Sequence, residues 1–206
     1  MQFFTWGINK RGIAKKRTAL IQNHWDFIAK YDKSLIARGP VLDSKDLGIV
    51  RGSIHIVELP GFDEAKYFVN DEPFAKAGLF EKIILSRFKL ELGRTQFDHV
   101  RKTDFPKFFL YCPAKKVPNN ITENLANVYK EYCCKFDRYF LCRGSLLTDK
   151  GDWSGQIYLA EFRNSWDANS FLSEEPFNLH NNYEKTEVFR WTPGGPENLN
   201  TRGSLE

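Results

Sequence analysis

His24 stands apart from the other histidines of this chain because it lies inside the apolar stripe of a helical segment, spaced with Leu20, Phe27, Ile28 and Tyr31. An imidazole with one ring nitrogen donated to a carboxylate is held in a single tautomer. The other nitrogen is then a base that titrates near neutral pH and needs no metal. A carboxylate of the right kind is Asp71, which opens the segment Asp71-Glu-Pro-Phe74 and could keep its charge at the start of a short helical turn. Trp6, Trp25, Phe27 and Phe74 offer apolar surface to bury a flat small ligand, and Ser53, following Gly52, offers a hydroxyl to orient it. Arg17 closes a basic run with Lys10, Arg11, Lys15 and Lys16, which reads either as a solvated loop or as a means of steering an anionic ligand. Residue types alone leave a purely structural alternative open. His24 would then be a hydrogen-bonded core residue and Asp71 a cap for the turn at Pro73.

The elements that must position these residues follow from periodicity. Phe3 to Ile8 is short, aromatic and β-branched and predicts a strand, followed by the basic loop from Asn9 to Lys16. Residues 17–37 predict a helix stopped by Gly39-Pro40, with Val41-Leu42 a short strand. Ser53 to Leu59 alternates as a strand with Ile54 and Ile56 on one face. Asp63 can cap a helix over 64–69, Pro73 occupies an early helical position in the next turn, and Leu79 to Lys89 makes the last strand. On this reading Arg38 and Arg143 are cations at helix C-termini that complement the dipole.

The same order recurs. Leu35-Ile-Ala-Arg-Gly-Pro-Val-Leu42 answers Phe140-Leu-Cys-Arg-Gly-Ser-Leu-Leu147 at an offset of 140 − 35 = 105, which also carries Phe3-Phe4 onto Phe108-Phe109. Gly52 to Glu58 answers Gly155 to Glu161 at 155 − 52 = 103, as Asp71-Glu-Pro-Phe74 answers Glu174-Glu-Pro-Phe177. A period of this length reads as domain duplication, with strands near 107–112, 145–148, 155–162 and 183–191 and helices at 121–142 and 166–172 in the second copy. Strand, helix, strand, strand, helix, strand is the split β-α-β, ferredoxin-like order. The expected fold is α+β: two ferredoxin-like (βαββαβ) modules whose sheets meet face to face as an intramolecular pseudo-dimeric α+β barrel. The expected boundaries are a first module over 1–90, a linker at 91–105, a degenerate second module over 106–192 and a flexible tail at 193–206.

Composition narrows the function classes. With 42% hydrophobic and 15% aromatic residues the chain can build cores, and a formal charge of +4 over 206 residues gives no reason to invoke nucleic acid. No membrane partner is expected either, because no stretch approaches the roughly 18 apolar residues of a span. The N-terminus puts its charge after a short apolar run, the reverse of a secretory signal, so a cytoplasmic location is expected. All four cysteines, Cys112, Cys133, Cys134 and Cys142, lie in the second half, and adjacent Cys133-Cys134 lacks zinc-ligand spacing, so reduced and mostly buried thiols are expected. Asn120-Ile-Thr122 reads as a helix start rather than a glycan acceptor. Glycine-rich nucleotide loops, His-Glu-x-x-His and the Gly-x-Ser-x-Gly elbow are all missing from the sequence, so the expected cofactor is none and the expected metal is none.

His24, the segment Ala37-Arg-Gly-Pro40, Gly52-Ser53, Asp63 to Phe68 and Asp71 to Gly78 occur in an order and at separations that resemble the YCII-related (YciI-like) family. The resemblance spans Phe3 to about Lys89, and the second half is similar in a degenerate form. It implies a dimeric α+β barrel and an active site built around a His-Asp pair, carried here by His24 and Asp71. Some relatives are dehydrochlorinases of chlorinated hydroquinones, which makes an aromatic or carbonyl-like substrate conceivable.

The offsets place Tyr129, Glu174 and Gln156 where the first half has His24, Asp71 and Ser53. Tyrosine, with an ordinary pKa near 10, is no neutral-pH base without a large shift, so one site and a structural second copy are expected. Two function classes follow. One is a small cofactor-independent lyase- or isomerase-type enzyme in which His24 abstracts a proton from a small aromatic or carbonyl compound. The other is a non-catalytic small-molecule-binding or protein-interaction module. The ligand is not named by the sequence, and the expected assembly is a monomeric pseudo-dimer or a homodimer of it.

Overall fold

A computed structural model describes residues 1–100, 104–116 and 121–196 as an α+β chain of two units, Met1–Phe88 with Trp191–Glu206, and Lys89–Arg190. In the first unit, β1 (Gln2–Asn9) is the centre of an antiparallel sheet. It pairs on one side with β3 (Val50–Glu58), Phe4 opposite Ile56, and on the other with β4 (Phe80–Leu90), Trp6 opposite Ile84. β2 (Leu35–Leu42) adds to β3 with Arg38 opposite His55, so the order is β4-β1-β3-β2. The period of two sends Phe3 and Thr5 of β1, and Ser53, His55 and Val57 of β3, to one face.

That face is covered by helices. α1 (Ala14–Ala19) and α2 (Ile21–Ala29) follow β1, and α2 buries His24, Phe27 and Ile28, the i, i+3, i+4 stripe that packs a helix on a sheet. α3 (Phe62–Asp71) buries Ala65 and Phe68, and α4 (Pro73–Lys76) follows at once. Phe3, Phe27, Ile28, Leu35, Val57 and Phe68 form the core beneath them.

Three expectations are corrected. The long helix over 17–37 ends at Ala29, and after a 3-10 turn at Asp32–Ser34 the run Leu35-Ile-Ala is already strand. A short apolar run satisfies either period, and here the ladder to β3, Leu35 opposite Val57, wins. Arg38 and Arg143 are therefore buried strand residues, not helix-terminal charges. The cap of α3 is Gly61, with Asp63 inside its first turn.

The second unit holds β5 (Lys107–Pro113), α5 (Glu123–Cys134), β6 (Phe140–Leu147), β7 (Trp153–Glu161), α6 (Ser165–Glu174), α7 (Pro176–Leu179) and β8 (Glu187–Trp191). β7 pairs antiparallel with β5 and β6, and the sheet order is β8-β5-β7-β6. Its core is aromatic, with Tyr132, Phe136, Phe140, Tyr158 and Phe162 all in ring contact with Phe171. Thr122 caps α5 by accepting from the Leu125 N–H at 3.2 Å, as the helix-start reading requires, although Asn120 of that motif lies outside the described residues. Cys112, Cys133 and Cys142 are buried, and burial pushes the Cys112 thiol up.

The expected linker and tail also fall partly outside the described residues, at 101–103 and 197–206. The start of the tail is packed instead. The Gly194 N–H donates to the Arg38 carbonyl at 3.0 Å within the first unit.

Candidate functional site

Between α1, α2 and the sheet of the first unit lies a cavity of about 690 Å³, a size suited to a small organic ligand. β2 supplies Arg38, β3 supplies Ser53 and His55, α1 supplies Arg17, and α2 supplies His24 and Trp25.

His24 Nδ1 lies 2.6 Å from Glu72 Oε1, and both side chains are buried. The other Glu72 oxygen accepts from the Ala75 N–H at 2.9 Å, so one carboxylate both caps α4 and holds the imidazole. An ionised carboxylate only accepts, so Nδ1 is the protonated nitrogen and Nε2 carries the lone pair. Burial draws the His24 pKa below its ordinary value, with the Glu72 hydrogen bond and charge opposing and Arg17 and Arg38 reinforcing the fall. That direction favours the neutral imidazole, the form a base requires. Its ring stacks on Phe74 at 4.4 Å and 13°, which fixes the remaining rotation.

Asp71, the carboxylate expected to meet His24, is the last residue of α3 and pairs with Lys76 at 3.2 Å instead. Pro73 is the physical reason. Proline takes the first helical position, so the preceding residue becomes the cap, and it is Glu72 that turns inward. The sequence held that signal, since Glu72 and Glu175 both stand immediately before a proline at the 103-residue offset.

Of the expected binding residues, Arg17 and Ser53 meet in the cavity wall, where Arg17 Nη2 donates to Ser53 Oγ at 2.6 Å. Phe74 lies behind them, with the Arg17 guanidinium 4.2 Å above its ring. Trp6 and Phe27 are buried but line no part of the cavity, and Phe27 belongs to the core beneath α2. Two lining residues were not foreseen as site residues. His55 sits 5.5 Å from His24, and complete burial holds its pKa well below the ordinary value. Arg38 reaches Asp32 at 2.9 Å with Nη1.

The cavity lining carries Lys10, Arg11, Arg17, Arg38 and Arg51 and, among the described residues, no carboxylate. Its electrostatics favour an anion. No group of three or more His, Cys, Asp or Glu side chains suited to hold a metal occurs among the described residues.

Residues 1–89 match the model of the YCII-related domain. The first half of this chain is thus similar to that family. A complex of 5-chloro-2-hydroxyhydroquinone dehydrochlorinase from Burkholderia phenoliruptrix with 2,5-dihydroxybenzoquinone is 29% identical, covering 44% of this chain and 96% of its own at a TM-score of 0.42. A chlorite dismutase variant from Candidatus Nitrospira defluvii is 9% identical over 93% of this chain and 91% of its own, with a TM-score of 0.61. A heme-binding protein from Thermus thermophilus is 11% identical over 92% and 90%, with a TM-score of 0.56. The last two establish a shared fold that runs through both units. Among curated proteins none matches the chain. No helix among the described residues is long and apolar enough to cross a membrane.

Proposed function

We propose that the YCII-related domain of this chain is a small-molecule enzyme domain in which His24, oriented by Glu72, moves a proton on a bound aromatic or carbonyl compound. The observation that carries this reading is the 2.6 Å His24–Glu72 bond at the wall of an open cavity. A merely structural histidine would sit in a filled core. Here Nδ1 is taken by the carboxylate, and Nε2 remains to accept a proton and return it at another carbon or lose it to solvent, the half-reactions of an isomerase or lyase.

Asp71 has no part in this dyad. The second unit is read as a structural, duplicated copy. A cytoplasmic location and a single pseudo-dimeric chain remain parts of the same proposal.

The test is solvent deuterium exchange, followed by NMR, into a panel of hydroxylated and halogenated aromatic and 2-oxo compounds. At least one compound should exchange, and His24→Gln should slow it by about 10²–10⁴-fold. Exchange that is equally fast in His24→Gln refutes the role. Binding without exchange across the panel favours the non-catalytic binding reading.

A further inference from the structure

In the second unit, a side chain of the protein itself lies among the residues that correspond to the lining of this cavity. Glu91 hangs from a backbone bond in which its N–H donates to the Arg143 carbonyl at 2.9 Å. Its carboxylate then receives Arg143 Nη1 at 3.1 Å, the Tyr129 hydroxyl at 3.2 Å and the Ser145 hydroxyl, while Gln156 Nε2 donates to Ser145 Oγ at 3.0 Å.

Part of the surroundings repeats in the first unit, with His24, Pro40 and Ser53 in the places of Tyr129, Ser145 and Gln156. Tyr129 stacks on Phe177 at 4.4 Å, as His24 stacks on Phe74 at 4.4 Å. Arg143 holds Asp137 at 3.3 Å, as Arg38 holds Asp32 at 2.9 Å. Glu175 caps its turn by accepting from the Asn178 N–H at 2.7 Å, as Glu72 accepts from Ala75. The backbone bond repeats too, with the Gly194 N–H donating to the Arg38 carbonyl at 3.0 Å. Position 194 is position 91 moved by 194 − 91 = 103, the offset that relates Gly52 to Gly155. Where one unit carries glutamate, the other carries glycine. Gly194, with Pro193 and Gly195, forms part of the cavity wall.

We infer that the cavity of the first unit receives a ligand carboxylate beside Arg38, in the position that the Glu91 carboxylate occupies in the second unit. A carboxylate taken out of water needs a paired cation and hydrogen-bond donors. Arg143 and two hydroxyls meet that need for Glu91. In the first unit Arg38, which also holds Asp32, and the other cations of the lining supply positive charge to the cavity, with Arg17 tethered nearby on Ser53. A planar guanidinium is suited to a carboxylate, and a cavity of about 690 Å³ leaves room for an aromatic ring behind the acid group. The ligand class is thus a small organic monocarboxylate. This rests on the cavity being a small-molecule site, not on His24 acting as a base.

The experiment is titration of the full chain with benzoate, its neutral isostere benzamide and inorganic phosphate, followed by calorimetry and by the His24 side-chain NMR signals. Benzoate should bind with one site per chain, at least about tenfold more tightly than benzamide or phosphate, and Arg38→Met should weaken it at least about tenfold. A second variant reads the same idea from the other side. Glu91→Gly should create a second benzoate site, raising the stoichiometry from one to two, and benzoate should raise its melting temperature more than that of the wild type.

Equal affinity for benzoate and benzamide, no benzoate binding at millimolar concentration, or tighter phosphate binding overturns the carboxylate assignment. If Arg38→Met fails to fold, an unchanged stoichiometry in Glu91→Gly does the same. Benzoate binding without any deuterium exchange leaves this inference standing while the proposed function fails. Exchange on neutral compounds alone does the reverse.

Discussion

Two adjacent carboxylates, Asp71 and Glu72, separate sharply under mutation. In Glu72→Gln, the amide oxygen keeps the cap on the Ala75 N–H, so the amide N–H₂ faces His24 Nδ1. A donor there forces Nδ1 to accept and moves the imidazole proton to Nε2, removing the lone pair that the proposed reaction uses. The bond lost is charge-assisted and buried, worth about 1.5–3 kcal/mol. For a chain of this size about 2–4 °C of melting temperature accompanies each kcal/mol, so a fall of roughly 3–12 °C is expected. Losing the Glu72 charge also lowers the His24 pKa further, since that carboxylate raises it now. Asp71→Asn loses only the pair with Lys76, whose side chain is 60% exposed. Such a surface pair contributes at most about 1 kcal/mol, and the His24 tautomer stays as it is. Long-range ¹H–¹⁵N correlation reads the tautomer directly, and thermal melts read the cost. A His24 tautomer that ignores Glu72→Gln and switches in Asp71→Asn would refute the reasoning.

Stability should also depend on pH through the buried histidines. The folded-state pKa values of His24 and His55 both lie below the ordinary 6.5, so the unfolded chain takes up protons first as pH falls. Their contribution is complete above about pH 6.5 and declines below it, by at most about 1.4 kcal/mol per histidine per pH unit. Denaturant midpoints at about pH 7.5 and 5.5 check this, with a shallower decline expected in His55→Gln, and a flat wild-type profile would contradict the burial argument. Gly39→Ala places a methyl against the Thr192 carbonyl oxygen and within 2.8 Å of Trp191 Nε1. Backbone cannot yield as a flexible side chain can, so a loss of about 1–3 kcal/mol is expected, read by melting and by a shift in tryptophan emission. A change below about 0.5 kcal/mol would show that the 191–195 segment does not pack there as described.

Much of the fold was legible because periodicity is a local property. The alternation in 53–59, the aromatic run at 3–8 and the stripe of His24, Phe27 and Ile28 each reflect one element burying one face, and the element order read from them is the order observed. The internal sequence likeness pairs Arg38 with Arg143 and Gly52 with Gly155. It also contains the Glu-Pro pairs at 72 and 175, a cap signal that the family likeness, which points to Asp71, does not carry.

Local pattern alone set the element order and the histidine on its stripe. Tertiary structure alone decided the rest. Leu35-Ile-Ala fits a helix or a strand, and only the ladder to β3 chose, which carried Arg38 from a helix end into a cavity wall. Two neighbouring carboxylates are equivalent in composition, and only the turn at Pro73 aimed one inward and left the other on Lys76. Position 194 reads as a glycine in a coil until its backbone is seen bonded to Arg38, in the place where the other unit carries Glu91. Each decision depends on partners distant in the chain, which local pattern does not encode.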